Sequence, residues 1–441
     1  VADTVSAADG GTFSGNVAMS GTLSVTGATT VGGILKTDDT TEATSTTDGS
    51  LQTDGGLSVA KDAVIGDDLK LLSDSSVVSL GADSDVTITH NADKGITLNS
   101  MDISGVKSIN GTDSVGSRYG QIGGNRNFII NGDTSICQRA TSVSSIGNGD
   151  TGYHVQDRWA VQEGASPESD FTMSRATEVP DGFQYSLKLD CTTAESSLAA
   201  GEYWWLETRL EGQDLWSWCK GTSVARPVTL SFWVNATKTG TSVVSLYDND
   251  NTRHISKSYT VSSADTWEYK TITFAGDTTG VWDRNNGASL QILWWLMAGT
   301  NFTSGTLATS WAAYDATNAA VGQVNHFDNT SNNFHITGVQ LELGETATVF
   351  QNESYAENLA RCQRYFYKGE DLVYGTHHYG SGDSGASYAV VWFPVTMRAD
   401  PTITGINSNS TGQQVSKDKM DCYRIGNYAN FDANHTADAE L

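Results

Sequence analysis

The sequence predicts an all-β protein in successive parts: a repetitive β shaft, a jelly-roll sandwich, one short helix and a small terminal β module. Three observations carry that prediction. The first 118 residues alternate short apolar bursts with Gly and Asp turns and hold a single aromatic, Phe13. From Asn125 the alternating segments lengthen and carry all 12 tryptophans, between Trp159 and Trp392. A helix start is legible in the stretch QLELGETATVFQNESYAENLARCQRYFYK, Gln340–Lys368.

Residues 1–118 contain GTFSGNVAM, GTLSVTGATTVGGIL, GGLSVAKDAVIGDDLKLL, SVVSLG, DVTIT and GITLN. Period-two bursts between glycine and aspartate turns are the pattern of a strand-turn repeat. Sixteen acids against six bases, a net −10 with almost no aromatics, also fit disorder, but a disordered chain has no need of the alternation. Each strand has one apolar face of Val, Leu and Ile and no neighbouring domain in sequence to cover it, so copies of the chain must cover it. Three chains wound about one axis satisfy this, which predicts a homotrimeric shaft. Residues 119–124 then read as a linker.

Residues 125–353 read as a β-sandwich of jelly-roll type. VTLSFWVNA places Val228, Leu230, Phe232 and Val234 on one face, and LQILWWLMA (Leu290–Ala298) is apolar on both faces, as a central strand is. In FHITGVQLELG the alternation skips a beat at Gly338, which predicts a β-bulge. Residues 354–368 form the connecting helix. Ser354 and Glu357 have the S-x-x-E spacing of a capping box, with Leu359, Cys362 and Phe366 on its apolar face and Arg361 and Arg364 left for surface or subunit salt bridges. Residues 369–441 make the last module, with strands around SYAVVWFPVTM and PTITGI.

Composition narrows the function. A net charge of −25 with scattered acids disfavours nucleic acid and anionic membrane surfaces. LQILWWLMA, the most apolar run, is half the length of a spanning helix, which argues against membrane insertion. Five dispersed cysteines without a CxxC pair suit a protein made in a reducing cytoplasm. No secretory signal is apparent. The chain begins at Val1, which fits processing or a preceding N-terminal part. GxSxG, HExxH and GxxxxGK[ST] are absent, and the acid pairs Asp248/Asp250 and Glu202/Glu207 fix no catalytic separation, so an enzyme is not expected. Exposed aromatics can instead stack on the apolar faces of sugars while Asp, Asn and Arg take hydroxyls. Candidates near turns are Trp204 and Trp205, Trp216 and Trp218, Tyr247, and Trp282 with Arg284, Trp282 being favoured. The loop VYGTHHYGSGDSGASY adds Tyr374, His377, His378 and Tyr379 as recognition candidates, against the plainer reading of a flexible loop.

The ordered motifs NFIINGD…CQRATS, Y…DRW, GVQLELG…ATVF and SYAENLARCQRYF resemble a domain of tail-fibre and other virion proteins of tailed bacteriophages, over about Asn125–Lys368. Thr134 departs from the pattern, where an aromatic is usual. The shaft resembles phage-fibre shafts in style. The resemblance implies a carbohydrate-binding-module-like sandwich in a virion fibre that adheres to bacterial surface polysaccharide or lipopolysaccharide. It implies other virion proteins as partners and synthesis in the host cytoplasm. A purely structural decoration or connector fibre and a polysaccharide depolymerase are the alternatives. No cofactor is required. By resemblance, Asp133 and Glu342 are candidate ligands of a structural calcium. The residues themselves favour a tight Asn131-Gly132 turn capped by Asp133.

Overall fold

The computed structural model describes residues 18, 20–38, 40, 51, 57–66, 69–72, 76–80, 86–91, 95–98, 126–370, 373, 374, 376, 377, 386–406, 412–425 and 430–441. The chain divides into two compact units, Val1–Lys107 and Ser108–Leu441.

In the first unit the sequence VVSLGADSDVTITHNADKGITLN supplies strands in an antiparallel sheet: β1 (Val77–Leu80), β2 (Val86–Asn91) and β3 (Gly95–Leu98), in that order. Upstream, the described apolar residues of the bursts are exposed; Ile34 and Val64 are almost fully so, and Leu23, Leu35, Leu57, Leu69 and Leu72 are well over half exposed. The linker expected at 119–124 lies outside the described residues.

The second unit is built on two antiparallel sheets. The first has the order β13-β10-β16-β8-β7-β4, from Glu268–Phe274, Val228–Ala236, Asn333–Leu343, Ser186–Thr193, Asp170–Ala176 and Ser142–Ile146. The second has the order β15-β12-β11-β14-β9-β6-β5, from Ala312–Ala313, Arg253–Val261, Gly240–Asp248, Ala288–Ala298, Tyr203–Glu211, Ala160–Gly164 and Gly152–Tyr153. One apolar cluster joins the inner faces, including Val228, Leu230, Phe232 and Val234 of β10 with Leu290, Ile292, Trp294 and Leu296 of β14. Aromatic rings lock the sheets together: Phe171 meets Trp204 edge-on at 5.0 Å and Phe232 meets Trp294 at 5.9 Å. The fold class is therefore the all-β sandwich that the alternation predicts.

Two local expectations are met. Along β10 and β16, Ser231 pairs with Gln340 and Trp233 with Thr337, so one residue faces two at Gly338–Val339. Gly338 has φ +62°, and a Cβ there would lie 2.6 Å from the Phe183 ring, so the bulge needs glycine. Strand β14 is buried on both faces because Val243, Trp295 and Ala298 form a second, smaller core with Ala319 and Ala320, lined by Phe302 and Leu307.

The capping box at the helix Tyr355–Gln363 is formed: the Glu357 amide donates to Ser354 Oγ (3.2 Å) and the Ser354 amide to Glu357 Oε2 (3.2 Å). The helix is shorter than its apolar spacing suggests. Its buried residues are Asn358 and Cys362, and Phe366 already belongs to β17 (Phe366–Lys368). Arg361 pairs with Glu353 and Arg364 with Glu211, both within the chain.

The quoted motifs converge where this helix and the terminal module meet the sandwich. Asn127 Oδ1 accepts from the amides of Ile129 and Leu341, each at 3.0 Å. Asn131, at φ +58°, uses its side chain to bond Ile136 and Asp157, and its carbonyl accepts Trp159 Nε1 at 3.0 Å. Thr134 is also left-handed and buried, at φ +56°. Buried Arg158 pairs with Glu440, and its guanidinium lies 3.6 Å from the Tyr365 ring centroid. Arg139 lies likewise over Phe366 and contacts Asp438 and Glu440 at 3.1 and 3.4 Å. Glu211 accepts Arg364 Nε at 2.9 Å, Arg364 Nη2 at 2.8 Å and the Tyr365 hydroxyl at 2.6 Å. Burial pushes the Asp157 carboxyl up to about 7, against the pull of Arg139 and the hydrogen bonds from Gln138.

In the terminal module β24 (Asn430–Asp438) pairs along one edge with β17 and β18 (Val373–Tyr374) and along the other with β21 (Thr402–Ile406). A second sheet runs β19-β20-β23-β22, from Thr376–His377, Ala386–Trp392, Lys419–Ile425 and Gly412–Val415. Its core includes Ala389, Val391, Phe393, Met420, Cys422 and Phe431.

Candidate glycan-binding face

Side chains alternate across a strand, so inward Trp204, Leu206 and Leu210 turn Tyr203, Trp205, Glu207 and Arg209 of β9 to the outer face of the seven-stranded sheet. Pairing aligns them with neighbours into rows: Tyr247, Gln291 and Arg209; Ser245, Leu293, Glu207 and Ala160; Trp295, Trp205 and Gln162. The small core around Trp295 covers one part of this face. Tyr203 and Trp205, half-buried, pack against the edge of that small core, and the rest carries half-buried Arg209, Gln291, Gln162 and Tyr247 around the fully buried Glu207.

Tyr203 and Trp205 stack at 4.3 Å with planes 9° apart. Beside them Glu207 accepts Trp205 Nε1 at 2.9 Å and Arg209 Nε at 2.8 Å. Burial raises the Glu207 pKa, opposed by Arg209 and by hydrogen bonds from Trp205, Arg209 and Gln162. Arg209 Nη1 also donates to the Leu441 carbonyl at 2.7 Å. Two strands away, about 10 Å across the sheet, Tyr247 meets the exposed Tyr314 edge-on at 5.2 Å. His254 meets the same ring at 5.0 Å, and burial lowers its pKa. Among the described residues neither ring nitrogen of His254 has a hydrogen-bond partner. Flat apolar rings beside a guanidinium and two amides can stack on a sugar ring and hydrogen-bond its hydroxyls, while the buried Glu207 carboxylate holds Trp205 and Arg209 in place.

Of the residues proposed from sequence, Trp205 and Tyr247 lie on this face and the others do not join it. Trp204 is fully buried against Phe171. Trp282, the favoured residue, is only 7 % exposed: it packs edge-on to Trp218 at 5.9 Å and lies 5.1 Å from Lys220 Nζ, itself held by Asp248 and Asp277 at 2.9 and 3.2 Å. The turn that carries it folds back on Gly221, which buries the indole. Trp218 is buried too, whereas Trp216 is 71 % exposed and Arg284 is exposed. The backbones of Tyr374 and His377 lie in β18 and β19; their side chains, and all of His378 and Tyr379, are outside the described residues.

Asp133 and Glu342 do not form a calcium cradle. Asp133 accepts Asn358 Nδ2 at 3.0 Å, while Glu342 accepts Thr348 N at 2.7 Å and Gln340 Nε2 at 2.8 Å, with Arg126 Nε at 3.4 Å. A carboxylate so occupied, beside a guanidinium, is a poor ligand for a hard cation. Among the described residues no group of three or more His, Cys, Asp or Glu side chains is placed to hold a metal.

Sequence reasoning passed over Tyr203, Glu207, Arg209, Gln291, Tyr314 and Gln162 as a site. The parity of EYWWLETR held the signal, since Trp205 shares its side of the strand with Glu207 and Arg209. That these positions sit beside Gln291 and Tyr247 depends on strand order, which no local pattern states.

No family model and no curated protein matches the chain. Among solved structures, the enzymatically active domain of tailspike protein 4 from bacteriophage CBA120 is similar at 13 % identity and TM-score 0.28, over 50 % of this chain and 22 % of that one. This chain thus spans about a fifth of that tailspike chain. A TmCBM61 structure in complex with β-1,4-galactotriose is similar at 9 % identity and TM-score 0.25, over 50 % of this chain and 99 % of that one. A putative sugar-binding protein from Bacteroides thetaiotaomicron is similar at 14 % identity and TM-score 0.26, over 49 % of this chain and 100 % of that one. Likeness at this level assigns neither ligand nor partner to this chain, and its architecture rests on its own two sheets.

Proposed function

We propose that this protein is a homotrimeric fibre of a bacteriophage virion, probing the host surface by binding its polysaccharide or lipopolysaccharide. The observation that carries the glycan-binding reading is the outer face of the seven-stranded sheet, where Tyr203–Trp205 and Tyr247–Tyr314 flank Glu207, Arg209 and Gln291. The trimer is supported by the exposed Val, Leu and Ile side chains of the first unit, which further copies of the chain would cover. Attachment to other virion proteins follows from the resemblance of the motifs to phage fibres. Weak single sites suffice, because linking them on one particle raises avidity about 10²- to 10⁴-fold.

The test is binding of the purified protein to immobilised host polysaccharide, with molar mass by light scattering against the chain mass of 47.0 kDa. A trimer that binds, and that loses affinity about 3- to 10-fold on Trp205→Ala or Tyr247→Ala, is the expected result. An assembled trimer that binds no host glycan leaves a structural connector, and shortened oligosaccharides would make it a depolymerase.

A further inference from the structure

Strand β20 and the residue that follows it read Ser387-Tyr388-Ala389-Val390-Val391-Trp392-Phe393 and alternate without a break: Ser387, Ala389, Val391 and Phe393 are buried, Tyr388, Val390 and Trp392 exposed. Trp392 is 68 % exposed and Tyr388 49 %, unusual for rings on a strand whose other face supplies a core. Register with β23 pairs Tyr388 with Tyr423, Val390 with Asp421 and Trp392 with Lys419. The tyrosine rings stack at 6.0 Å, and Lys419 Nζ lies 5.7 Å from the Trp392 ring centroid. Between these two aromatic ends stands a polar bar, with Asp421 accepting Lys419 Nζ at 2.9 Å and the Gln414 amide at 3.0 Å.

We infer that this sheet face is a second glycan site, on the terminal module, for an extended strand of equatorially linked (β-1,4) sugars. Tyr388 and Trp392 are four residues apart on one straight strand, so their platforms are about 13 Å apart in line. A ligand touching both must be straight and present apolar C–H faces along its length. A ribbon-like β-1,4 chain does so, whereas a coiling or branched chain lifts off one platform. The polar bar selects a hydroxylated ligand over an apolar one. A protein partner would bury the Lys419–Asp421 pair at a desolvation cost, while sugar hydroxyls replace the water on both groups. This site lies on a different sheet from the sandwich face and stands or falls independently of it.

The test is fluorine NMR of the full chain labelled with fluorotryptophan, with the Trp392 resonance assigned by Trp392→Phe and cellohexaose and chitohexaose as probes. At millimolar probe the Trp392 resonance shifts for at least one of them. In a ligand-observed NMR titration with that probe, Trp392→Ala or Tyr388→Ala weakens binding about 3- to 10-fold and Trp392→Tyr retains most of it, while Trp205→Ala leaves the Trp392 shift unchanged. The inference is overturned if neither probe moves the resonance, or if Trp205→Ala abolishes the shift. It is equally overturned if the resonance moves on dilution of the protein alone and Trp392→Ala lowers the molar mass, since the face is then an interface between copies.

Discussion

Trp204 packs its indole against Phe171 inside the sandwich, while Trp205, one residue on, lies outside with Glu207 and Arg209. Trp204→Ala is expected to cost about 3–5 kcal/mol in urea unfolding, and Trp205→Ala about 1 kcal/mol, the loss of its stack on Tyr203. Titrating residues pull stability in opposite directions. Burial lowers His326 and His335 from the ordinary value of 6.5 to about 4, so the stability they contribute is present above pH 6.5 and lost as pH falls toward 4. Asp157 is raised from 3.8 to about 7, so its contribution is present below pH 3.8 and lost as pH rises through 7. Asp157→Asn should therefore gain on the wild type as pH rises from about 4 to 7, with a constant difference above, and His326→Asn should gain as pH falls from 6.5 to 4. Urea midpoints across that range check both signs; a pH-independent difference for either variant contradicts its assigned shift. Sequence gave the pair Trp204/Trp205 and left open which was inside. The inward Leu206 and Leu210 decide it, and for Trp282 nothing local announced that its turn folds back on Gly221.

Among elements, the bulge and the helix cap were legible because each is a short-range pattern with a stereochemical cause. Gly338→Ala must place a methyl at φ +62° against Phe183 and Trp233, and is expected to destabilise by more than about 1 kcal/mol. Ser354→Ala removes the acceptor of the Glu357 amide and is expected to cost about 1 kcal/mol. Thermal melts of the two variants check both. The segment 299–325 was not legible. It holds few periodic residues, so it reads as loop, yet Phe302, Leu307, Ala319 and Ala320 cover Trp295 and make β14 two-sided. On β20 the difficulty is the reverse: Tyr-Val-Trp and Ala-Val-Phe are both apolar faces, so alternation shows a strand without saying which side is core.

At the scale of the second unit, the terminal module is joined to the sandwich by buried charges and aromatic rings. Glu440→Ala leaves Arg158 buried without its carboxylate and is expected to cost about 3–5 kcal/mol. Hydrogen exchange should show the loss concentrated in β17 and β24; an unchanged exchange pattern would contradict this account of the junction. The motifs that were most readable in the sequence therefore mark a joint, and the aromatic faces lie elsewhere. For exchange of terminal modules between related chains the joint sets the seam. A chimaera spliced between residues 353 and 369 inherits Arg139 and Arg158 from one parent and Asp438 and Glu440 from another, so an unrelated terminal module grafted there meets orphaned guanidinium groups. Sandwich and terminal module should travel as one cassette, with the splice placed before residue 126.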